Sequence, residues 1–112
     1  LGVVDIHVRI DPEIGIRDEL VARNLYRIAQ EASNNALKHS HAARLTLELS
    51  RRGPAVTLKV TDDGIGLPPG FNPAAVHSLG YQLVLALTRQ MRGELEVAGE
   101  AGTRVTIRFE AN

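Results

Sequence analysis

Apolar and polar residues alternate from Val4 to Ile10, with Val4, Ile6, Val8 and Ile10 on one face. This period of two predicts a strand with one buried side. Asp11-Pro12 stops it, because proline has no N–H for the ladder. From Asp18 or Glu19 to about Ser40 the chain has neither Gly nor Pro, and the period lengthens. At about 100° per residue, Val21, Leu25, Ile28, Ala29, Ala32 and Ala36 share one side, which predicts a long amphipathic helix. Alternation returns in Arg44–Ser50 (Leu45, Leu47 and Leu49 inward) and in Ala55–Val60 (Val56, Leu58 and Val60 inward). Arg51-Arg52-Gly53-Pro54 reads as the turn joining them into a hairpin. Residues 62–80 lose all periodicity and hold four Gly and three Pro. A loop this long inside a compact domain is usually functional or mobile. A second helix is predicted over about Leu79–Arg92, with Leu83, Val84, Leu87 and Met91 on its apolar side and Gly93 placed to end it. Glu94–Ala98 and Thr103–Glu110 form a last hairpin around residues 99–102, with Val105, Ile107 and Phe109 facing one way. The elements add up to an α+β fold: a two-layer sandwich whose mixed or antiparallel sheet is covered on one face by helices.

Composition narrows the function classes. The chain has 112 residues, 44% of them hydrophobic and 23% charged, so residues 1–112 read as one globular domain. Thirteen Lys and Arg balance thirteen Asp and Glu, leaving no bulk field to attract nucleic acid or an anionic membrane. Cys is absent, which excludes disulfide and thiol chemistry, and four His without Cys make a structural zinc site a poor fit. No apolar run approaches the roughly 20 residues of a membrane span. The first residue is Leu1, with no Met and no signal pattern, so a longer parent chain is expected.

Candidate chemistry lies in four places. Glu31, Asn35 and Lys38 are spaced four and three apart, on the shoulder of the apolar face of the first helix. A carboxylate and an amide oxygen are hard ligands suited to Mg²⁺, and a lysine can meet a phosphate; a solvated helix face explains the same spacing. Asp62-Asp63-Gly64-Ile65-Gly66 follows a strand. A carboxylate there can accept a hydrogen bond from an exocyclic amine, and glycines let the backbone approach a flat ring; an ordinary Asp-Gly turn is the alternative. Ser78-Leu79-Gly80 opens the second helix, whose free N–H groups suit phosphate or need only a Ser cap. Gly102-Thr103 is explained by a turn and a strand alone. His39 falls between the polar stripe and the apolar face. No P-loop, G-x-G-x-x-G, G-x-S-x-G or H-E-x-x-H motif occurs.

In order along one chain, these signals reinforce each other. Residues 25–40, read as Leu25-Tyr26-Arg27-Ile28-Ala29-Gln30-Glu31-Ala32-Ser33-Asn34-Asn35-Ala36-Leu37-Lys38-His39-Ser40, closely resemble the N box of bacterial sensor histidine kinases, nearest in flavour to the nitrate-sensor subfamily. Asp62-Asp63-Gly64-Ile65-Gly66 resembles the first glycine box (D-x-G-x-G), and Ser78-Leu79-Gly80-Tyr81-Gln82-Leu83-Val84 the second. Glu100-Ala101-Gly102-Thr103 resembles the closing G-x-G-T element, with Glu100 replacing its first Gly.

The resemblance implies the Bergerat fold of the GHKL ATPases and an ATP lid between residues 67 and 77. It implies ATP and Mg²⁺ as ligands. By position, Asn35 would coordinate the metal and Asp62 would bind the adenine amine, directly and through water. Gly64 and Gly66 would flank the base, and Leu79 and Gly80 would meet phosphate through their backbone. Thr103 would support Asp62 or its water, while Lys38 and His39 would approach the phosphates or ribose. Two departures stand out: the second box has fewer glycines than usual, placing Tyr81 where it can meet nucleotide or partner, and none of the four His is placed like the family's phosphoacceptor. The expected task is therefore to donate the γ-phosphate of Mg–ATP to a histidine on a separate dimerisation domain, with a response regulator downstream, in the cytoplasm. The rivals are a self-sufficient ATPase with Glu31 as the catalytic carboxylate activating water, a serine kinase of the anti-sigma type, and a non-catalytic nucleotide-gated module.

Overall fold

The computed structural model describes residues 4–39, 42–64, 79–99 and 102–111, with the backbone alone at 39, 79 and 80. Its elements run β1 (Asp5–Ile10), α1 (Glu19–His39), β2 (Arg44–Arg52), β3 (Ala55–Asp62), α2 (Leu79–Gln90), β4 (Glu94–Ala98) and β5 (Thr103–Glu110). The five strands form one sheet in the order β1-β2-β3-β5-β4. β1 pairs with β2 in parallel and every other pair is antiparallel. Leu45, Val56, Leu58, Val60, Val105, Ile107 and Phe109 from the sheet meet Leu25, Ile28, Val84 and Leu87 from the helices in a single core. This is the expected two-layer α+β architecture.

Local chemistry sets the element ends. Asp18 caps α1: its Oδ1 accepts from the N–H groups of Leu20 (2.9 Å) and Val21 (3.3 Å), filling donors that the first turn cannot use internally. At the end of α2 the Gly93 N–H donates to the Thr88 carbonyl (2.9 Å) and the Arg92 N–H to that of Arg89 (3.0 Å), a Schellman ending. The left-handed residue there is Arg92 (φ 55°), not the expected Gly93. Gly93 is required for a different reason: a Cβ on it would lie 2.7 Å from the Arg108 carbonyl oxygen and 3.2 Å from the Phe109 Cβ.

Two further expectations are corrected. β1 has no buried side: Ile6, Val8 and Ile10 are 55–60% exposed. β1 is an edge strand, and α1 packs over β2 and β3 instead, leaving a largely apolar groove of about 410 Å³ between Val8, Ile10, Tyr26 and Leu49. Arg51 and Arg52 also belong to the ladder rather than the turn, since Arg52 pairs with Ala55 around Gly53-Pro54. The Arg51 guanidinium then reaches the carbonyls of Gly53 (2.8 Å), Ile14 (2.8 Å) and Ala111 (2.9 Å), tying the β1–α1 connection and the end of β5 to the hairpin.

Candidate nucleotide site

At one end of the sheet the topology gathers those of the singled-out residues that are described. β2 and β5 begin there and β3 and β4 end there, because Leu45 pairs with Asp62, Asp62 with Thr103, and Ala98 with Arg104. α1 feeds the start of β2, so its C-terminal half, with Asn35 and Lys38, points to this end. α2 feeds the opposite end of the sheet through β4, so its first turn, Leu79 and Gly80, lies at the same end as Asp62. The two helices are antiparallel neighbours, joined at the far end by Asn24 Nδ2 donating to Gln90 Oε1 (3.1 Å).

Asp62 is the last residue of β3, not the first of a loop, and is only 4% exposed. Strand alternation turns its side chain to the helix-covered face together with Val60, Leu58 and Val56. Its Oδ1 accepts from the Gly64 N–H at 2.8 Å, which fixes the carboxylate's orientation. A carboxylate offers about four acceptor positions on two oxygens, so capacity remains for an amine or a water. Thr103, directly opposite in register and also buried, faces the same way. A cavity of about 580 Å³ opens here, walled by Asp62, Thr103, Gly102, Ala98 and Arg104, a size that suits a small-molecule ligand. Asn35, Glu31 and Lys38 are not part of that wall.

On α1, Glu31 and Asn35 are half-buried and Lys38 is exposed, beside the buried line Ile28, Ala32 and Ala36. The Asn35 Nδ2 is buried without a hydrogen-bond partner, alone in this among the side-chain atoms of the described residues. An unpartnered buried amide costs about 1–3 kcal/mol unless a ligand completes it. Turned over, the same amide presents Oδ1, a hard donor that fits Mg²⁺. The side chains of His39 and Leu79, all of Gly66 and Ser78, and the expected lid lie outside the described residues.

Three residues here carry more than the sequence suggested. Gly102 has φ +96°, and a Cβ on it would fall 2.9 Å from the Asp62 carbonyl carbon, 3.0 Å from the Asp63 Cα and closer still to the Asp62 carbonyl oxygen. The Asp62 end of β3 therefore fits only because residue 102 has no side chain. Tyr81 is half-buried, and burial first, then the negative charge of Asp62, raises its hydroxyl above the ordinary value. Asp63 is exposed, yet its Oδ1 accepts from the N–H groups of Ala43 (2.8 Å) and Arg44 (2.9 Å), and these bonds, Arg44 foremost, hold its carboxyl below the usual range. The Gly-Thr pair and the Asp doublet were the available signals, but both read equally well as turn chemistry.

A family model for histidine kinase-, DNA gyrase B- and HSP90-like ATPases matches residues 20–112, and the chain belongs to that family. Within it the similarity runs to sensor histidine kinases, as the motifs implied. The signal transduction histidine-protein kinase/phosphatase UhpB of Salmonella typhimurium is 35% identical over 85 residues, covering 74% of this chain and 16% of UhpB. The nitrate/nitrite sensor protein NarX of Escherichia coli is 34% identical over 92 residues, covering 79% of this chain and 15% of NarX. Among solved structures, the histidine kinase domain of the blue-light activated kinase EL346 of Erythrobacter litoralis aligns with a TM-score of 0.87 at 25% identity, over 99% of this chain and 53% of that one. The chain thus spans a small part of its curated relatives. None of its described helices is long and apolar enough to cross a membrane.

Proposed function

We propose that this chain is the ATP-binding catalytic domain of a sensor histidine kinase, which binds Mg–ATP and donates the γ-phosphate to a histidine on a separate dimerisation and phosphoacceptor domain. The observation that carries the reading is the buried Asp62–Thr103 pair at the sheet end where the C-terminal half of α1, which carries the unpartnered Asn35 amide, also lies. In this reading Asp62 accepts from the adenine amine, with Thr103 supporting it, and Gly64 and Gly66 lie along the base. The phosphates run toward α1 and the first turn of α2. There Lys38 and His39 supply positive charge or hydrogen bonds, and the Leu79 and Gly80 N–H groups supply the helix-end donors. Asn35 Oδ1 would hold Mg²⁺, whose contribution is neutralisation of phosphate charge. Glu31, one turn earlier, is the carboxylate closest in sequence to that point. Catalysis of this kind is mostly positioning and charge compensation, and the acceptor domain brings the nucleophile and its base. A response regulator would then take the phosphoryl group.

The test is a calorimetric titration with a non-hydrolysable ATP analogue, with and without Mg²⁺, followed by mixing the domain and Mg–ATP with the parent's phosphoacceptor domain. The reading expects Mg²⁺-dependent binding and an acid-labile, base-stable phosphate on the acceptor. Rapid phosphate release by the domain alone, abolished by Glu31→Ala, would instead support a self-sufficient ATPase.

A further inference from the structure

Asp63 has no part in the nucleotide contacts proposed above, yet it makes three hydrogen bonds at this end of the sheet. Its Oδ1 accepts from Ala43 and Arg44, and its own N–H donates to the Arg44 carbonyl at 3.3 Å. Ala43 and Arg44 lie where the chain leaving α1 enters β2. The three bonds therefore close a clasp between the chain entering β2 and the end of β3, one residue beyond Asp62. On the other flank the bare face of Gly102 lies against the same Asp62-Asp63 backbone. Asp62 is thus located between β2 and β5, and its distance from the Glu31–Asn35–Lys38 stripe is set through its neighbour.

We infer that Asp63 is a positioning residue of the nucleotide site: its carboxylate clasps the α1–β2 connection to β3, so that one ligand can reach Asp62 and the α1 stripe together. The inference rests on the nucleotide-binding reading above. The clasp is exposed to water, so without it the Ala43 and Arg44 amides bond solvent instead and little folding free energy is lost. What is lost is the fixed spacing of two elements, which an incoming ligand must then order for itself; this weakens binding by roughly ten-fold.

The experiment titrates the non-hydrolysable ATP analogue with Mg²⁺ into the wild-type domain, Asp63→Ala, Asp63→Glu and Asp63→Asn, with a thermal melt of each. Wild type is expected to bind, and Asp63→Ala to bind roughly ten-fold more weakly while still melting cooperatively. Asp63→Glu keeps the charge but displaces the acceptor by a methylene, so it is expected to weaken binding as well and serves as the test if the alanine variant does not fold. Asp63→Asn keeps an oxygen able to accept both N–H groups and is expected to recover most of the affinity. Backbone amide shifts of Ala43 and Arg44 should move together with the Asp63 titration in wild type. Unchanged affinity in both Asp63→Ala and Asp63→Glu, or no recovery in Asp63→Asn, overturns the inference alone. A wild-type domain that binds no nucleotide overturns the functional reading, and this inference with it.

Discussion

Replacing Gly102 by Ala perturbs the point where β5 meets the Asp62 end of β3. The added Cβ would stand 2.9 Å from the Asp62 carbonyl carbon and 3.0 Å from the Asp63 Cα, and neither backbone atom can rotate aside as a side chain would. Relieving such overpacking costs typically about 1–3 kcal/mol. The backbone at φ +96° adds strain of the order of 1–3 kcal/mol for an L-residue. Because one movement relieves part of both, the expected loss is about 2–4 kcal/mol, a large fraction of the roughly 5–15 kcal/mol available to a domain of this size. Urea unfolding reads it as a lower midpoint at constant slope. The same displacement moves the Asp62 carbonyl and with it the side chain proposed to grip adenine. ATP-analogue affinity, measured well below the unfolding transition, should therefore fall too. A variant within about 0.5 kcal/mol of wild type, with unchanged affinity, would refute the claim that the bare Gly102 positions Asp62.

Other outcomes follow from the same geometry. Arg51→Ala should destabilise the domain by about 2–3 kcal/mol, since it removes charge-assisted bonds to the Ile14 and Ala111 carbonyls; Arg51→Lys should recover less than half, because one ammonium cannot span both in a chemical denaturation series. The Asp63 carboxyl is held below its ordinary value of 3.8, so its ionised form favours the fold. That small contribution is present above about pH 4 and disappears as pH falls through the lowered value: wild type should be slightly more stable than Asp63→Asn at neutral pH and converge with it in acid. Tyr81 should ionise above its ordinary value of 10.0, and Asp62→Asn should bring it part of the way back, as followed by ultraviolet difference spectra. Asn35→Ala should leave metal-free nucleotide binding little changed while removing most of its Mg²⁺ dependence, as read by titration at varied Mg²⁺.

The sequence was most legible where period and burial agree. The α1 pattern placed Leu25, Ile28, Ala32 and Ala36 in the core, where they are buried, and the alternation in β3 and β5 gave their inward faces correctly. It misled at β1, whose alternation is as clean as that of β3, because a period of two shows that a strand has an apolar face but not that a helix lies over it. Only the strand order leaves β1 at an edge beyond α1. The Arg51-Arg52-Gly53-Pro54 stretch looked like a turn by composition, and only the register shows that Arg51 lies within the ladder and clamps two distant carbonyls. Asp62 was singled out by its motif, but its burial and its pairing with Thr103 come from β3 continuing two residues past Val60. The importance of Gly102 and Asp63 was hidden for the same reason. Each acts on backbone that is remote in sequence, which local pattern cannot reveal.

In the proposed function one ligand spans the space from Asp62 to Asn35. A crystal structure of the domain with Mg²⁺ and a non-hydrolysable ATP analogue tests it most directly. The adenine amine is expected within hydrogen-bonding distance of the Asp62 carboxylate, and Mg²⁺ coordinated by Asn35 Oδ1. An adenine seated elsewhere, or a metal ion without Asn35 in its coordination sphere, would contradict it.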